Sequence, residues 1–288
     1  MIILKDKPGQ LCNRLWAFAP FIALAFEKGK LILVPHLAEY LHFFDRTQQT
    51  GTVVFLKSNQ SSILKALEIV QKLLRRIPLS LRNYFHISVD KPVDPAYLKS
   101  NAGLYFIDSW TNSKPNELMQ KYRKELSNLF EPKASSRSKV DSEFESWNAD
   151  FITIIGVHMR RGDYKEYRNG IYYYSNEEYL DVLEKLKSNF SDPDKVAFFV
   201  ASNEDVLTKD FPETKMVKLE NPTPVEDLYA LSKCDYILGP PSTFSMWASY
   251  IGHKPLLFLK RLDQPLKLQD FSEVLFQNHF KNGTVFSH

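Results

Sequence analysis

The chain has 288 residues, enough for two domains of ordinary size. Hydrophobic residues make up 44% and aromatics 14%, so a full core can form, which excludes a disordered polymer and a disulfide-stapled miniprotein. The 37 Lys and Arg against 34 Asp and Glu leave +3, too mild to require nucleic acid but compatible with an anionic ligand or surface, while 10 Gly and 16 Pro rule out collagen and long heptads.

The residues from Met1 to Asp6 lack the basic-then-apolar order of a leader, and Ile2–Leu4 is predicted as a strand. A turn at Pro8-Gly9 follows, then an apolar helix as far as Lys28-Gly29. Its most apolar part, Leu15 to Phe26, carries Pro20 and falls short of the ~20 residues that span a bilayer. Cys12 and Cys234 lie in apolar runs and read as buried free thiols of a reducing compartment, so a cytoplasmic protein is expected. Leu31–Val34 and Thr52–Leu56 are the next strands. Ile63, Leu67, Val70, Leu74 and Ile77 share one helical face, which Pro78 ends. Lys65, Lys72, Arg75 and Arg76 flank that face. It suits packing within the first lobe or, as the second choice, peripheral contact with the anionic inner face of a membrane. Leu104–Ile107 is a strand, and Leu118, Tyr122, Leu126 and Leu129 put a helix over 117–130.

The polar run from Glu131 to Lys139 reads as an interdomain connection, with a hinge no later than about Asp150. The expected domains are 1–145 and 146–288. In the second, Ile152–Val157, Val196–Ala201, Met216–Leu219, Tyr236–Leu238 and Leu256–Leu259 are short apolar runs between helical segments. Such alternation predicts parallel sheets covered on both faces, hence a two-lobed α/β protein with its ligand in the cleft.

The densest chemistry is His158-Met159-Arg160-Arg161-Gly162-Asp163 at the end of a buried strand. In open parallel sheets ligands bind beyond the carboxyl ends of strands. Alternation sends His158 and Arg160 one way and Met159 and Arg161 the other, so one guanidinium can face the ligand while the other is tied inward. Asp163 is a natural arginine partner. Arginine forks match phosphate oxygens in a bidentate way. A second signal is the strand, Gly-Pro-Pro loop and helix from Tyr236 to Gly252, where Ser242 or Thr243 would open a helix whose free N–H groups seat a phosphate. Asn203-Glu204-Asp205 would either accept from a base or ribose, or cap the next helix. Gly9, Asn13 and Arg14 form either a ligand loop or a structural turn. The seven His are scattered, no Cys/His spacing suits zinc, and Asp192-Pro193-Asp194 reads as a surface turn, so no metal or other cofactor is expected.

The run Gly156-Val157-His158-Met159-Arg160-Arg161-Gly162-Asp163-Tyr164 resembles the His-x-Arg-Arg-x-Asp motif of the GDP-fucose-dependent α-1,2/α-1,6-fucosyltransferase superfamily. Gly9 to Leu15, Ile107-Asp108-Ser109-Trp110 and Asp227 to Gly252 are similar to that superfamily's other motifs, in the same order. Gln10 and Cys12 stand where two of its glycines do, and Asn203-Glu204 where it has a carboxylate pair. The resemblance implies a GT-B fold of two Rossmann-type lobes and inverting, metal-independent transfer of L-fucose from GDP-fucose to a glycan hydroxyl. It puts Arg160 on the β-phosphate, His158 with Asn203 and Glu204 near the guanine and ribose, and Thr243, Phe244 and Ser245 near the pyrophosphate. Arg161 belongs to the same donor site, and Glu166 stands in the loop from which a base would come. A related transferase using a UDP-sugar or another GDP-hexose, and a non-catalytic carbohydrate-binding protein, are the alternatives.

Overall fold

A computed structural model describes residues 1–45, 51–89, 103–212 and 214–287. The chain divides into two compact units, Met1–Lys133 and Ala134–His288.

The first unit runs β1 (Ile2–Leu4), α1 (Leu11–Lys28), β2 (Ile32–Val34), β3 (Val53–Phe55), α2 (Ser61–Arg75), α3 (Leu79–Tyr84), β4 (Ile87–Ser88), β5 (Leu104–Ile107), α4 (Ser109–Asn112), α5 (Leu118–Lys121) and α6 (Arg123–Leu129). Its strands are all parallel, in the order β3-β2-β1-β5-β4. Central β1 is wholly buried, which is why Ile-Ile-Leu shows no polar alternation. Helix α1 is buried almost all round and stops at Gly29 in the left-handed region (φ 58), which a glycine adopts without a Cβ clash. Among the described residues no helix is long and apolar enough to cross a membrane.

Two expectations for this unit need correction. The helix over 117–130 breaks at Tyr122 (φ −105, ψ 19), whose hydroxyl donates to Glu27 at 2.8 Å. The predicted face of α2 packs only in part: Leu67, Leu74 and Ile77 are half-buried, whereas Ile63 and Val70 are exposed, and Ile69 (58%) and Leu73 (53%) beside them are exposed further.

The second unit runs α7 (Ala134–Asp150), β6 (Thr153–Met159), α8 (Asn176–Lys187), β7 (Val196–Ser202), β8 (Met216–Val217), α9 (Pro224–Lys233), β9 (Tyr236–Gly239), α10 (Thr243–Gly252), β10 (Pro255–Phe258), β11 (Ser272–Phe276) and β12 (His279–Phe280). The polar run taken as a connection is thus largely the start of α7. Val140, Phe144 and Trp147 form a narrow apolar stripe on that helix, and Trp147 stacks on Phe199 of β7 at 5.7 Å. Lys139 pairs with Glu226 (3.1 Å) and Lys233 with Asp141 (2.7 Å), holding α7 to α9. The second unit therefore begins upstream of the expected boundary at 145.

Its sheet has the order β12-β11-β10-β9-β6-β7-β8, parallel from β10 to β8 with an antiparallel β11–β12 edge. The chain starts at β6, steps outward through β7 and β8, then returns to the other flank of β6 as β9. The strand order reverses between β6 and β9, so their carboxyl ends border a crevice of the kind that takes ligands in open α/β sheets.

Candidate active site

Strand alternation sorts the side chains leaving β6. Ile155, Val157 and Met159 enter the core with Tyr179, Val182 and Leu183 of α8. On the opposite face Leu231 of α9 and Cys234 just past its end fill the space over Gly156, and the ring of His158 lies 5.0 Å from that of Phe244. The sorting continues past the strand. Arg161 turns the way of Met159, its guanidinium 5.7 Å from the ring of Tyr173 and 5.9 Å from that of Tyr179. It donates to Asn176 Oδ1, and Asn176 donates to Asp210 at 2.9 Å. Arg160 stands at the rim, 22% exposed, with Nη2 against both oxygens of Asp163 at 2.9 and 3.1 Å. Among the described residues its Nη1 and Nε have no protein partner.

The neighbouring wall is the start of α10. Ser242 caps it, accepting from the N–H of Phe244 at 3.2 Å, and Ser245 Oγ donates to the carbonyl of Ser242. First-turn N–H groups lack intrahelical acceptors and carry partial positive charge. Gly239, at the end of β9, lies so near β6 that a Cβ there would meet the carbonyl oxygen of His158 at 2.6 Å. Tyr164 fastens the two loops together. Its hydroxyl donates to the carbonyl of Pro241 at 2.7 Å, and its ring lies under the Arg160 guanidinium at 5.6 Å. Burial pushes its phenol up to about 12, which keeps the donor protonated. Nothing in the local sequence distinguished Tyr164 from the other tyrosines around it.

Two titratable groups of this unit, one on β6 and one on α9 that packs against it, are buried. His158 is buried with Nδ1 unpartnered, and burial, helped by the charge of Arg160, lowers its pKa to about 3, so the imidazole is neutral. Asp227 lies one helical turn before Leu231, toward the carboxyl edge of the sheet, since α9 runs back from β8 to the start of β9. Its Oδ1 is buried without a partner, and burial, with the neighbouring Glu226 charge, raises the carboxyl to about 7 against the pull of Lys139. Sequence reasoning had assigned Asp227 no role; an acid placed beside apolar positions of α9 was the available signal.

Other expected residues do different work. Asn203 Oδ1 accepts from the N–H of Arg161 at 2.7 Å, and Glu204 Oε1 from the N–H of Gly162 at 3.0 Å. Both side chains thus brace the arginine loop rather than standing free for a nucleoside, and they cap no helix. Gly162 adopts φ +57, and a Cβ would meet Asn203 Nδ2 at 2.9 Å, so this turn requires glycine. Glu166 is exposed in the loop that follows, where Arg168 (φ 52) and Asn169 (φ 59) hold left-handed backbone. In the first unit Arg14 is 3% exposed and consumed internally. It donates to the carbonyls of Gly9 and His36 and pairs with Glu39 at 2.6 Å. The half-buried Asn13 side chain lies against Gly9, so this segment is built as a structural turn. Asp6 fills the corresponding strand-end crevice of that unit, accepting from Ser109 N and Oγ (both 2.7 Å) and from Trp110 N (2.8 Å). Among the described residues no group of three or more His, Cys, Asp or Glu gathers as a metal site would.

Comparison with known proteins bears on this arrangement. The model of a family described as glycosyl transferase family 11 matches residues 39–261. Mouse (Mus musculus) galactoside alpha-(1,2)-fucosyltransferase 2 is 25% identical over 122 residues. That match takes in 39% of this chain and only 34% of the mouse protein. The NodZ alpha-1,6-fucosyltransferase soaked with GDP-fucose superposes with a TM-score of 0.56 at 14% identity, over 94% of this chain and 96% of that one. An arginine-to-lysine mutant of Arabidopsis thaliana FUT1 in complex with GDP has a TM-score of 0.56 at 13% identity, over 96% and 74%. At such identities the two structures establish the mixed α/β, GT-B-like fold.

Proposed function

This chain belongs to glycosyl transferase family 11, and on that premise we propose that it transfers L-fucose from GDP-fucose to a hydroxyl of a glycan, inverting the anomeric centre. One observation carries the reading: the half-satisfied guanidinium of Arg160, paired with Asp163 and over the Tyr164 ring, follows β6 at the crevice beside β9, and Tyr164 bonds the loop that leads into α10. GDP-fucose and GDP are the ligands named for the NodZ and FUT1 structures that share the fold, which supports the same donor here.

As the bond from the anomeric carbon to the β-phosphate oxygen breaks, negative charge gathers on the phosphate and positive charge on the sugar. Arg160 Nη1 and Nε, with the positive end of α10 at Thr243 to Ser245, stabilise the leaving diphosphate as a preorganised electrostatic environment. In this reading that neutralising role falls to the protein and to no metal ion. The acceptor oxygen attacks the opposite face of the anomeric carbon. Its proton passes to a carboxylate, for which exposed Glu166 is available while Asp163 is occupied by Arg160. The products are the fucosylated glycan and GDP. Asp227 suits the N–H edge of guanine, because its partnerless carboxylate oxygen Oδ1 can accept from a ring donor. Neutral His158 and Phe244 would line the same pocket. Arg161, Asn203 and Glu204 act through the loop they hold.

A nucleotide panel followed by a transfer assay tests this. GDP at a hundredfold over its Kd stabilises the native state by about 2.7 kcal/mol. A thermal shift with GDP and none with UDP, together with transfer of a deoxyhexose mass to an acceptor, is the expected result. A shift with UDP alone would assign a UDP-sugar donor instead, and nucleotide binding without transfer or donor hydrolysis would remove the catalytic reading.

A further inference from the structure

Eight of the 17 large hydrophobic residues exposed among the described residues fall between positions 63 and 85. On α2, Ile63, Ala66, Ile69, Val70 and Leu73 follow the helical repeat and make one exposed stripe, adjoining the half-buried edge that contains Leu64, Leu67 and Leu74. The short α3 and its end, next in the chain, carry four more exposed apolar side chains, Leu79, Leu81, Tyr84 (77% exposed) and Phe85 (59%). The Tyr84 and Phe85 rings meet edge to face at 5.1 Å. At 100° per residue, Lys65, Lys72 and Arg76 fall together along one margin of the stripe, and all three are exposed. From Ser61 to Phe85 five basic residues against one acidic give +4, more than the +3 of the whole chain, so the remainder is slightly acidic.

We propose that this segment is a docking surface for an anionic lipid bilayer. An apolar stripe with a cationic margin is what an interfacial helix presents: its apolar side sinks to the acyl boundary while Lys and Arg meet lipid phosphates. Exposed aromatics at the end of the stripe suit the headgroup level. Charge complementarity selects this occupant over a second copy of the chain, since two copies would bring segments of +4 each against one another. The inference does not depend on the donor or on the transferase reading.

The test is flotation of the full-length protein with two kinds of vesicle: phosphatidylcholine alone, and phosphatidylcholine with phosphatidylglycerol in equal parts. Capture by the anionic vesicles is expected, weak on the neutral ones and released at high salt because exposed charges are screened. Replacing Lys65, Lys72 and Arg76 singly with Gln should weaken capture by about fivefold each. Ile69→Glu with Leu73→Glu should abolish it while leaving the melting temperature and the GDP thermal shift as in the parent, because both positions are exposed. Failure of the parent protein to float overturns the proposal, as does capture indifferent to the double substitution. A dimer in sedimentation equilibrium that the double substitution dissociates would assign the face to a second copy and overturn it equally.

Discussion

The Tyr164 hydroxyl donates to the Pro241 carbonyl at 2.7 Å across 77 positions of sequence, joining the loop after β6 to the loop before α10. These loops follow two strands that lie side by side in the sheet but enter it at different times in the chain. The bond fixes the distance between a cationic side chain and a helix N-terminus. On the proposed mechanism both groups act on one diphosphate, so their separation is as important as their presence.

Tyr164→Phe keeps the ring and removes that bond. The Pro241 carbonyl is left buried without its donor, which costs about 1–3 kcal/mol of stability. Displacing Arg160 from the helix end should lower kcat, by up to about a hundredfold for a shift near 1 Å. A melting temperature that falls while kcat stays unchanged would limit Tyr164 to a structural role.

The two adjacent arginines should separate cleanly under alanine substitution. Arg160→Ala at the rim should change stability by no more than about 0.5 kcal/mol and lower transfer roughly 10²–10³-fold. Arg161→Ala removes an inward guanidinium from Asn176, Tyr173 and Tyr179, and should cost about 1.5–3 kcal/mol in denaturant unfolding. Equal stability losses for the pair would contradict the inward and outward assignment.

Asp227 has a folded-state pKa near 7, above the ordinary aspartate value. A raised carboxyl contributes stability that is full below the unfolded pKa and is lost as pH climbs to the folded one. Asp227→Asn should therefore gain stability relative to the parent between about pH 4 and pH 7, then hold a constant difference above. If guanine binds the ionised carboxylate, GDP binding near pH 6.5 releases protons. Calorimetry in buffers of different ionisation enthalpy measures this, and equal heats in all buffers would remove Asp227 from base recognition.

His158, held near pKa 3, has the opposite sign. Its neutral form belongs to the native state, so stability is present above the ordinary histidine pKa and falls as pH drops from about 6.5 towards 3. His158→Gln should flatten that part of the acid-unfolding curve. An unchanged slope would mean that other groups set it.

Much of the architecture was readable because buried parallel strands announce themselves as short apolar runs, and the arginine motif sits at the end of one of them. What misled was local composition. Residues 134–150 are polar enough to pass for a connection, yet three apolar side chains on one face suffice to dock α7. The Ile63–Ile77 stripe has the period of a packed helix, yet Ile63 and Val70 are exposed and Leu67, Leu74 and Ile77 only half-buried, because periodicity records a preference for apolar contact and not the identity of what supplies it. The edge strands β11 and β12 passed unnoticed.

Within the site, the sequence by itself indicated that Arg160 and Arg161 part to opposite sides, because side chains on an extended backbone alternate, while the packing of Met159 and the contacts of Arg161 decided which of them is tied inward. Only the tertiary structure decided that Asn203 and Glu204 brace that loop, that Arg14 is consumed by Gly9, His36 and Glu39, and that Asp227 keeps an open buried oxygen. The reason is physical. A strand's period is set by adjacent dihedrals, whereas the partner of a carboxylate or guanidinium depends on which distant segment the sheet order brings beside it.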